Sequence, residues 1–474
     1  MESAIDNPQA YSAEAAPAFA KPAAAGEGRS AAKAGSAIAG PQPNIAKPRP
    51  TERLISLDVF RGLTIAGMIL VNNPGDWGHI YGPVGHAKWH GWTPTDLVFP
   101  FFLFIVGVAM TFSFDKRLAQ GHSRLRLFEH VVRRTCILFF LGLIMFSFPD
   151  WRLIGPYALG IVGLGFLFVD EPPLSLGEDP AARTRKIIAG TLLLAAVAWF
   201  AVDFGYFQKT ELRVPGVLQR IALCYLVTSV IMMFCGVWGR TICAIALIAG
   251  YWWIVRHVFP PADYVAGFAD RPEGLLHDWL DIKLLGAHLY RERPDPEGLL
   301  STMPAVATTL LGVLTGSWLH SAREAKDRLT GLFLAGNVLL VVGLFMAYWF
   351  PINKKIWTSS YVVFTAGLAL HFLGMCFWLI DVKGYRRWAW PFLVFGSNAI
   401  VVYFCASVGA RVLNLVKIHA ADGSAVALKT WVYQHYFTSW AGPYNASLAF
   451  ALAYVALWCV LMIPMYLMRI FVRV

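Results

Sequence analysis

The sequence predicts an all-α polytopic transmembrane bundle of about 12 spans, with both termini cytoplasmic. Three observations predict it. Long apolar runs alternate with short polar ones from Leu54 onward. Only 15% of the residues are charged and the mean hydropathy is +0.54, whereas a soluble chain carries about a quarter charged residues. Lys and Arg gather in alternate loops, as they do in membrane proteins.

Residues 1–50 stand apart from this pattern. They are rich in Ala, Pro, Gly and Lys and lack apolar periodicity. Such a segment buries too little surface to offset its ordering entropy, so a disordered cytoplasmic tail is expected. Glu2 and Asp6 occupy the place of a basic n-region and no apolar h-region follows, so no signal peptide is expected. Residues 51–474 form the transmembrane domain. A span needs about 20 mostly apolar residues. The runs at 54–71, 95–114, 131–148, 154–170, 186–204, 217–235, 241–259, 301–320, 329–350, 358–381, 391–410 and 446–469 meet that requirement or approach it.

Orientation follows from the short loops. Lys116, Arg117, Arg124, Arg126, Arg133 and Arg134 follow the second span, but only Lys88 follows the first. Arg323, Lys326 and Arg328, then Lys383, Arg386 and Arg387, fall on the same side as the first basic group, as does the tail. That side is read as cytoplasmic. The loops at 72–94, 205–216, 260–300, 351–357 and 411–445 are then outward. Lys354 and Lys355 run against the rule. The net charge of +11 is spread over these loops, not gathered on one domain, which excludes a nucleic-acid footprint. The seven cysteines lie in or beside apolar runs with no CxxC pair, so neither disulfide nor metal is expected.

The first outward loop carries His79, His86 and His90 among Trp77, Trp89 and Trp92. Histidine suits general-base chemistry at neutral pH. Interfacial anchoring by the tryptophans, with the histidines merely wet, is the simpler reading of the loop by itself. The histidine spacing permits a metal, but no cysteine or second acidic cluster completes one. Asp96 opens the second span, where a carboxylate either caps the helix or orients a histidine. Asp58 and Arg61 share one face of the first span. Arg213, Gln219 and Arg220 surround Pro215 and Gly216 in RVPGVLQR, and Arg220 lies inside an apolar run, which implies a polar cavity. Asn353, Trp357, Ser360, Ser397 and Asn398 are polar or aromatic residues in or beside spans, where helix packing is the alternative.

RLISLDVFRGLTIAGMILVNN, HAKWHGWTPTDLVFPFFLFIVG, RVPGVLQR, PDPEGLLSTMPA, NKKIWTSSYV, DVKG and FGSNAIVVY, in this order, resemble the catalytic domain of the heparan-α-glucosaminide N-acetyltransferase family. The resemblance runs from about Arg53 to the C-terminus, and its first block is distantly similar to the wider transmembrane acyltransferases. It implies transfer of the acetyl group of cytoplasmic acetyl-CoA to the amine of a glucosamine-type sugar across the membrane. It places His86 on the family's catalytic histidine, with Asn72 and Asp96 as its companions. In such a transfer His86 is expected to act as base or transient acetyl acceptor, Asp96 to orient its ring and Asn72 to stabilise the oxyanion. Arg213, Gln219, Arg220, Ser397 and Asn398 match positions lining a cofactor and substrate cavity. His79 and His90 match no family histidine.

The chain departs from that family by a pair of spans around 154–204 and by having a tail in place of a large luminal domain. A bacterial inner-membrane relative acting on an envelope sugar is therefore expected. Its expected partners are acetyl-CoA, an amino-sugar or glycan acceptor and membrane lipids, with a homodimer among the expected assemblies and no nucleic acid. A secondary transporter of a sugar or envelope fragment, and a non-catalytic scaffold, fit the span count equally well.

Overall fold

Over their described residues, eleven of the twelve expected apolar runs are each one helix and the twelfth is two in the computed structural model, which describes residues 54–472 apart from 120, 122, 168–179, 262–271, 273 and 420–424. The 1–50 tail lies outside the described residues. The helices are α1 Ile55–Asn72, α2 Val98–Ala119, α3 Arg124–Ser147, α4 Trp151–Leu167, α5 Pro180–Lys209, α6 Val217–Phe234, α7 Val237–His257, α8 Leu276–Leu285, α9 Leu299–Leu319, α10 Ala325–Met346, α11 Ser359–Cys376, α12 Trp390–Ser397, α13 Ala399–Leu415, α14 Leu428–Tyr436 and α15 Pro443–Leu467. Among the described residues, ten helices are long and apolar enough to cross a membrane. The other two expected runs are α4, with 17 residues, and the pair α12 and α13. The chain is a multi-pass, all-α membrane protein.

The run at 391–410 is not the single straight span expected. It bends by 75° between α12 and α13. The cause is local: Asn398 leaves helical geometry at φ −130°, ψ 41°. Its side chain then donates to Ile470 O at 2.9 Å and accepts from Val472 N at 2.9 Å. An asparagine that bonds backbone elsewhere competes with the helix ladder, and hydropathy does not register that competition.

The centre of the bundle is set by small residues. A Cβ on Gly107 of α2 would lie 2.0 Å from Thr309 O, and one on Gly312 of α9 would lie 2.1 Å from Phe104 O. These two helices therefore meet backbone to backbone, the contact that glycine permits in membrane helices. The extra pair, α4 and α5, packs as a hairpin beside α3. Arg152 clasps Asp203 at 2.5 Å, and Tyr206 donates to Asp150 at 2.7 Å.

The connecting segments hold structure that the apolar pattern does not signal. Helix α8 and a short antiparallel ladder, Lys417–His419 with Ala425–Ala427, lie in two of the loops expected to face outward. Two further segments position the site. The 73–94 loop ends in a 3₁₀ turn, Pro94–Leu97, which leads into α2. The 351–358 loop precedes α11. Gly91 N donates to Ile352 O at 2.8 Å and fastens one loop to the other.

Candidate active site

Asp96 sits in the Pro94–Leu97 turn, 1% exposed. A buried carboxylate must have its lone pairs satisfied. Oδ2 accepts Ala87 N and Thr93 N, each at 3.0 Å. Oδ1 lies 2.7 Å from His86 Nδ1. The two readings the sequence left open for Asp96 are thus compatible in one side chain: one oxygen caps the turn and the other meets the histidine. An ionised carboxylate only accepts, so His86 carries its proton on Nδ1 and presents the Nε2 lone pair. The His86 side chain is 45% exposed, so that lone pair faces space a substrate can reach.

The turn is held from two sides. Thr93 Oγ1 donates to Gly85 O at 2.6 Å, and Thr95 Oγ1 donates to Pro83 O at 3.1 Å. Tyr361, fully buried in α11, donates to Asp96 O at 2.5 Å.

Lys354 completes the cluster, and sequence reasoning did not assign it a place there. Its Nζ lies 3.0 Å from His86 Nδ1, 3.2 Å from His86 Nε2 and 3.6 Å from Asp96 Oδ1. Burial pulls its ammonium below the ordinary lysine value, with Asp96 and Glu297 pulling the other way. A signal for it was present in the chain, because Lys354 is one of the two lysines that defy the charge rule. The other, Lys355, lies 3.7 Å from Glu292. The loop that carries Lys354 is tightly built. Ile356 N donates to Asn353 Oδ1 at 3.2 Å, Asn353 N to Thr358 Oγ1 at 3.0 Å, and Ser360 Oγ to Phe350 O at 2.5 Å. Trp357 adopts φ +54°, a left-handed conformation uncommon for a bulky residue and held only where its surroundings demand it.

A second cluster adjoins this loop. Arg220 is 1% exposed, and its Nη2 donates to Gly298 O at 3.0 Å and to Ser301 Oγ. Its guanidinium carbon lies 5.2 Å over the Trp357 ring, and Trp357 N donates to Lys354 O at 3.1 Å. Arg220 Nε and Nη1 and both amide atoms of Gln219 are buried without a protein partner. Bare buried donors and acceptors of this kind fit a ligand with amide and carbonyl groups, such as the acyl arm of acetyl-CoA. Arg213 is committed elsewhere: its Nη2 lies 2.5 Å from both Asp295 and Glu297, and its guanidinium carbon is 4.4 Å over Tyr290. Burial works against its charge, but the two carboxylates raise the guanidinium above its ordinary value. Asp295 and Glu297 lie in PDPEG, where sequence reasoning saw a motif but no ion pair.

Other expected residues fall apart from these clusters. Asn72 ends α1 and is exposed, and among the described residues no hydrogen bond links it to His86 or Asp96. Ser397 and Asn398 lie at the opposite end of α1. The neighbouring Gly396 packs against Asp58 O, in the first turn of that helix. There Arg61 Nη1 donates to Asp58 at 3.0 Å and to Gly396 O at 3.4 Å. His79 has a carboxylate of its own, with Nδ1 2.6 Å from Asp76 Oδ2.

Residues 53–151, which carry Asn72, His86 and Asp96, match the sequence model of a family described as heparan-alpha-glucosaminide N-acetyltransferase, catalytic. The chain is similar to that family over these residues. It is 27% identical over 401 residues to heparan-alpha-glucosaminide N-acetyltransferase of Homo sapiens, covering 74% of this chain and 52% of the relative. The same enzyme of Mus musculus is 27% identical over 413 residues, covering 76% and 54%. The chain thus spans about half the length of the curated N-acetyltransferases it matches. The Arg213, Arg220 and Lys354 segments lie beyond the stretch matched by the family model.

Proposed function

We propose that this protein is a membrane N-acetyltransferase that moves the acetyl group of acetyl-CoA onto the amine of a glucosamine-type sugar. One observation carries the reading: a half-exposed histidine, fixed in one tautomer by a buried aspartate at 2.7 Å, lies within the segment that matches an N-acetyltransferase catalytic family. Attack on a thioester needs a neutral amine and an acceptor for its proton. His86 Nε2 accepts that proton as the C–N bond forms and returns it to the departing thiolate. Asp96 holds the ring and stabilises the transient imidazolium. An acetyl-histidine intermediate would use the same nitrogen as nucleophile.

The basic loops supply the sidedness. Acetyl-CoA is polyanionic and suits the side rich in Lys and Arg, whereas the 73–94 loop opens on the other. The acyl arm then threads through the bundle toward Gln219 and Arg220, at the end of α6 that follows the outward 205–216 loop. In this reading the protein sits in a bacterial inner membrane and the acceptor is an envelope amino sugar.

The test uses purified protein with acetyl-labelled acetyl-CoA and glucosamine-type acceptors. Label should appear as an N-acetyl product with wild-type protein and vanish with His86→Ala. Acceptor movement into proteoliposomes without any acetylation would instead favour a transporter.

A further inference from the structure

The 73–94 loop carries two histidine–carboxylate pairs of nearly equal length, and Lys354 lies on only one of them. In the first, His79 Nδ1 lies 2.6 Å from Asp76, and the side chains are 43% and 39% exposed. In the second, His86 Nδ1 lies 2.7 Å from Asp96, and the carboxylate is 1% exposed. Lys354 Nζ lies within 3.2 Å of both nitrogens of His86. Because Asp96 takes the Nδ1 proton, Nδ1 has no lone pair for the ammonium. Nζ is nearly equidistant from the two ring nitrogens, so the ammonium rests against the ring, off the line of the Nε2 lone pair.

We propose that Lys354 is a catalytic residue: its ammonium rests against the His86 ring and moves onto the thioester oxygen as the tetrahedral oxyanion forms. This rests on the acetyltransferase reading. A thioester attacked by an amine on Nε2 can turn its carbonyl oxygen toward Nζ, which lies 3.2 Å from that nitrogen. A site about 3 Å from both a base and a cation is where an oxyanion is stabilised. Asn72, expected in this role, is exposed, and among the described residues no hydrogen bond links it to His86, whereas Lys354 is already there. The supporting frame is rigid. Lys354 O holds Trp357 N, Trp357 stacks under Arg220, and Ile352 O holds Gly91 N. The lysine loop and the histidine loop therefore keep their spacing while the side chains move.

The step balances. The amine nitrogen bonds the carbonyl carbon, the π pair becomes the oxyanion held by Lys354, and the amine proton passes to His86 Nε2. Collapse restores C=O, breaks C–S, and the imidazolium proton goes to the thiolate. Lys354 keeps its three protons throughout and returns to the His86 ring.

Two measurements on the full chain in nanodiscs test this. The first is carbethoxylation of each histidine by diethylpyrocarbonate, read by peptide mass. Lys354→Met should raise the His86 rate several-fold and leave His79 unchanged, because no cation then lies against the His86 ring. The second is transfer. Lys354→Met should lower kcat by about 10²–10³-fold with little change in the KM for acetyl-CoA. Lys354→Arg, which keeps the charge at any pH, should retain more activity and carry the alkaline limb of the kcat profile to higher pH. Burial lowers the ammonium from its ordinary value, so the wild-type limb should fall below the usual lysine range. Lys354→Gln is read in parallel in case the Met variant does not fold. An unchanged His86 modification rate, an undiminished kcat, or an alkaline limb unmoved by Arg would each overturn the proposal. Wild-type protein that transfers no acetyl group, or a fully active His86→Ala, would instead defeat the acetyltransferase reading and this role with it.

Discussion

The hydroxyl of Tyr361 donates to the main-chain carbonyl of Asp96 at 2.5 Å, joining helix α11 to the turn that presents the carboxylate. The bond is buried on both sides, so removing the donor leaves a carbonyl with no water to replace it. Tyr361→Phe should cost about 1–3 kcal/mol, read as a lower apparent melting temperature in detergent. It should reduce transfer less than Asp96→Asn does, because the carboxylate keeps its own bonds to Ala87, Thr93 and His86. A Tyr361→Phe protein as stable as wild type would show that the turn is held without this bond.

The three histidines of the loop should separate in activity. His86→Ala should lower transfer by about 10²–10⁴-fold, the usual cost of losing one acid–base group, and should still bind acetyl-CoA. His79→Ala and His90→Ala should lose far less, although His79 too has a carboxylate partner. Asp96→Asn should fall between, since the amide oxygen can still accept from His86 Nδ1 but an amide does not stabilise an imidazolium, and its NH2 cannot accept from Ala87 N and Thr93 N. Equal losses in the three histidine variants would mark the loop as structural.

Sidedness is checked with a membrane-impermeant thiol reagent on intact cells. Lys88 and Ser123 are both exposed. Lys88→Cys should react and Ser123→Cys should not, after subtraction of the signal from the native cysteines. The opposite pattern would reverse the orientation drawn from the basic loops.

Asp281 of α8 should leave a signature in the pH dependence of stability. Its Oδ1 accepts Leu299 N at 2.9 Å at the start of α9, and its Oδ2 is buried without a partner. Burial raises its carboxyl to about 6 from 3.8. A folded-state value above the unfolded one means that the contribution is fully present below about pH 4 and is lost as pH rises through about 6. Asp281→Asn keeps the bond to Leu299 and removes the charge. The variant should therefore gain on wild type across that window, by up to about 3 kcal/mol. A difference in melting temperature that stays flat from pH 4 to pH 7 would contradict this assignment.

Much of the fold was legible in the chain because a membrane rewards one property, continuous apolar length, and a helix is the way a single segment satisfies its backbone in lipid. That is why α1, α2, α6, α9 and α11 stand where the apolar runs do. The motif around His86 was legible as well, and with it Asp96, ten residues on, because both lie in one loop and its adjoining turn. Sequence alone did not determine the bend at Asn398, which depends on backbone atoms of Ile470 and Val472 more than 70 residues away. Nor did it place Lys354 on His86, a contact between residues 268 positions apart. Charge counting flagged that lysine as an exception but gave it no address. Tertiary structure alone decided these contacts, because a side chain's partner across the bundle depends on how helices pack and where loops dock, and neither leaves a local periodicity to read.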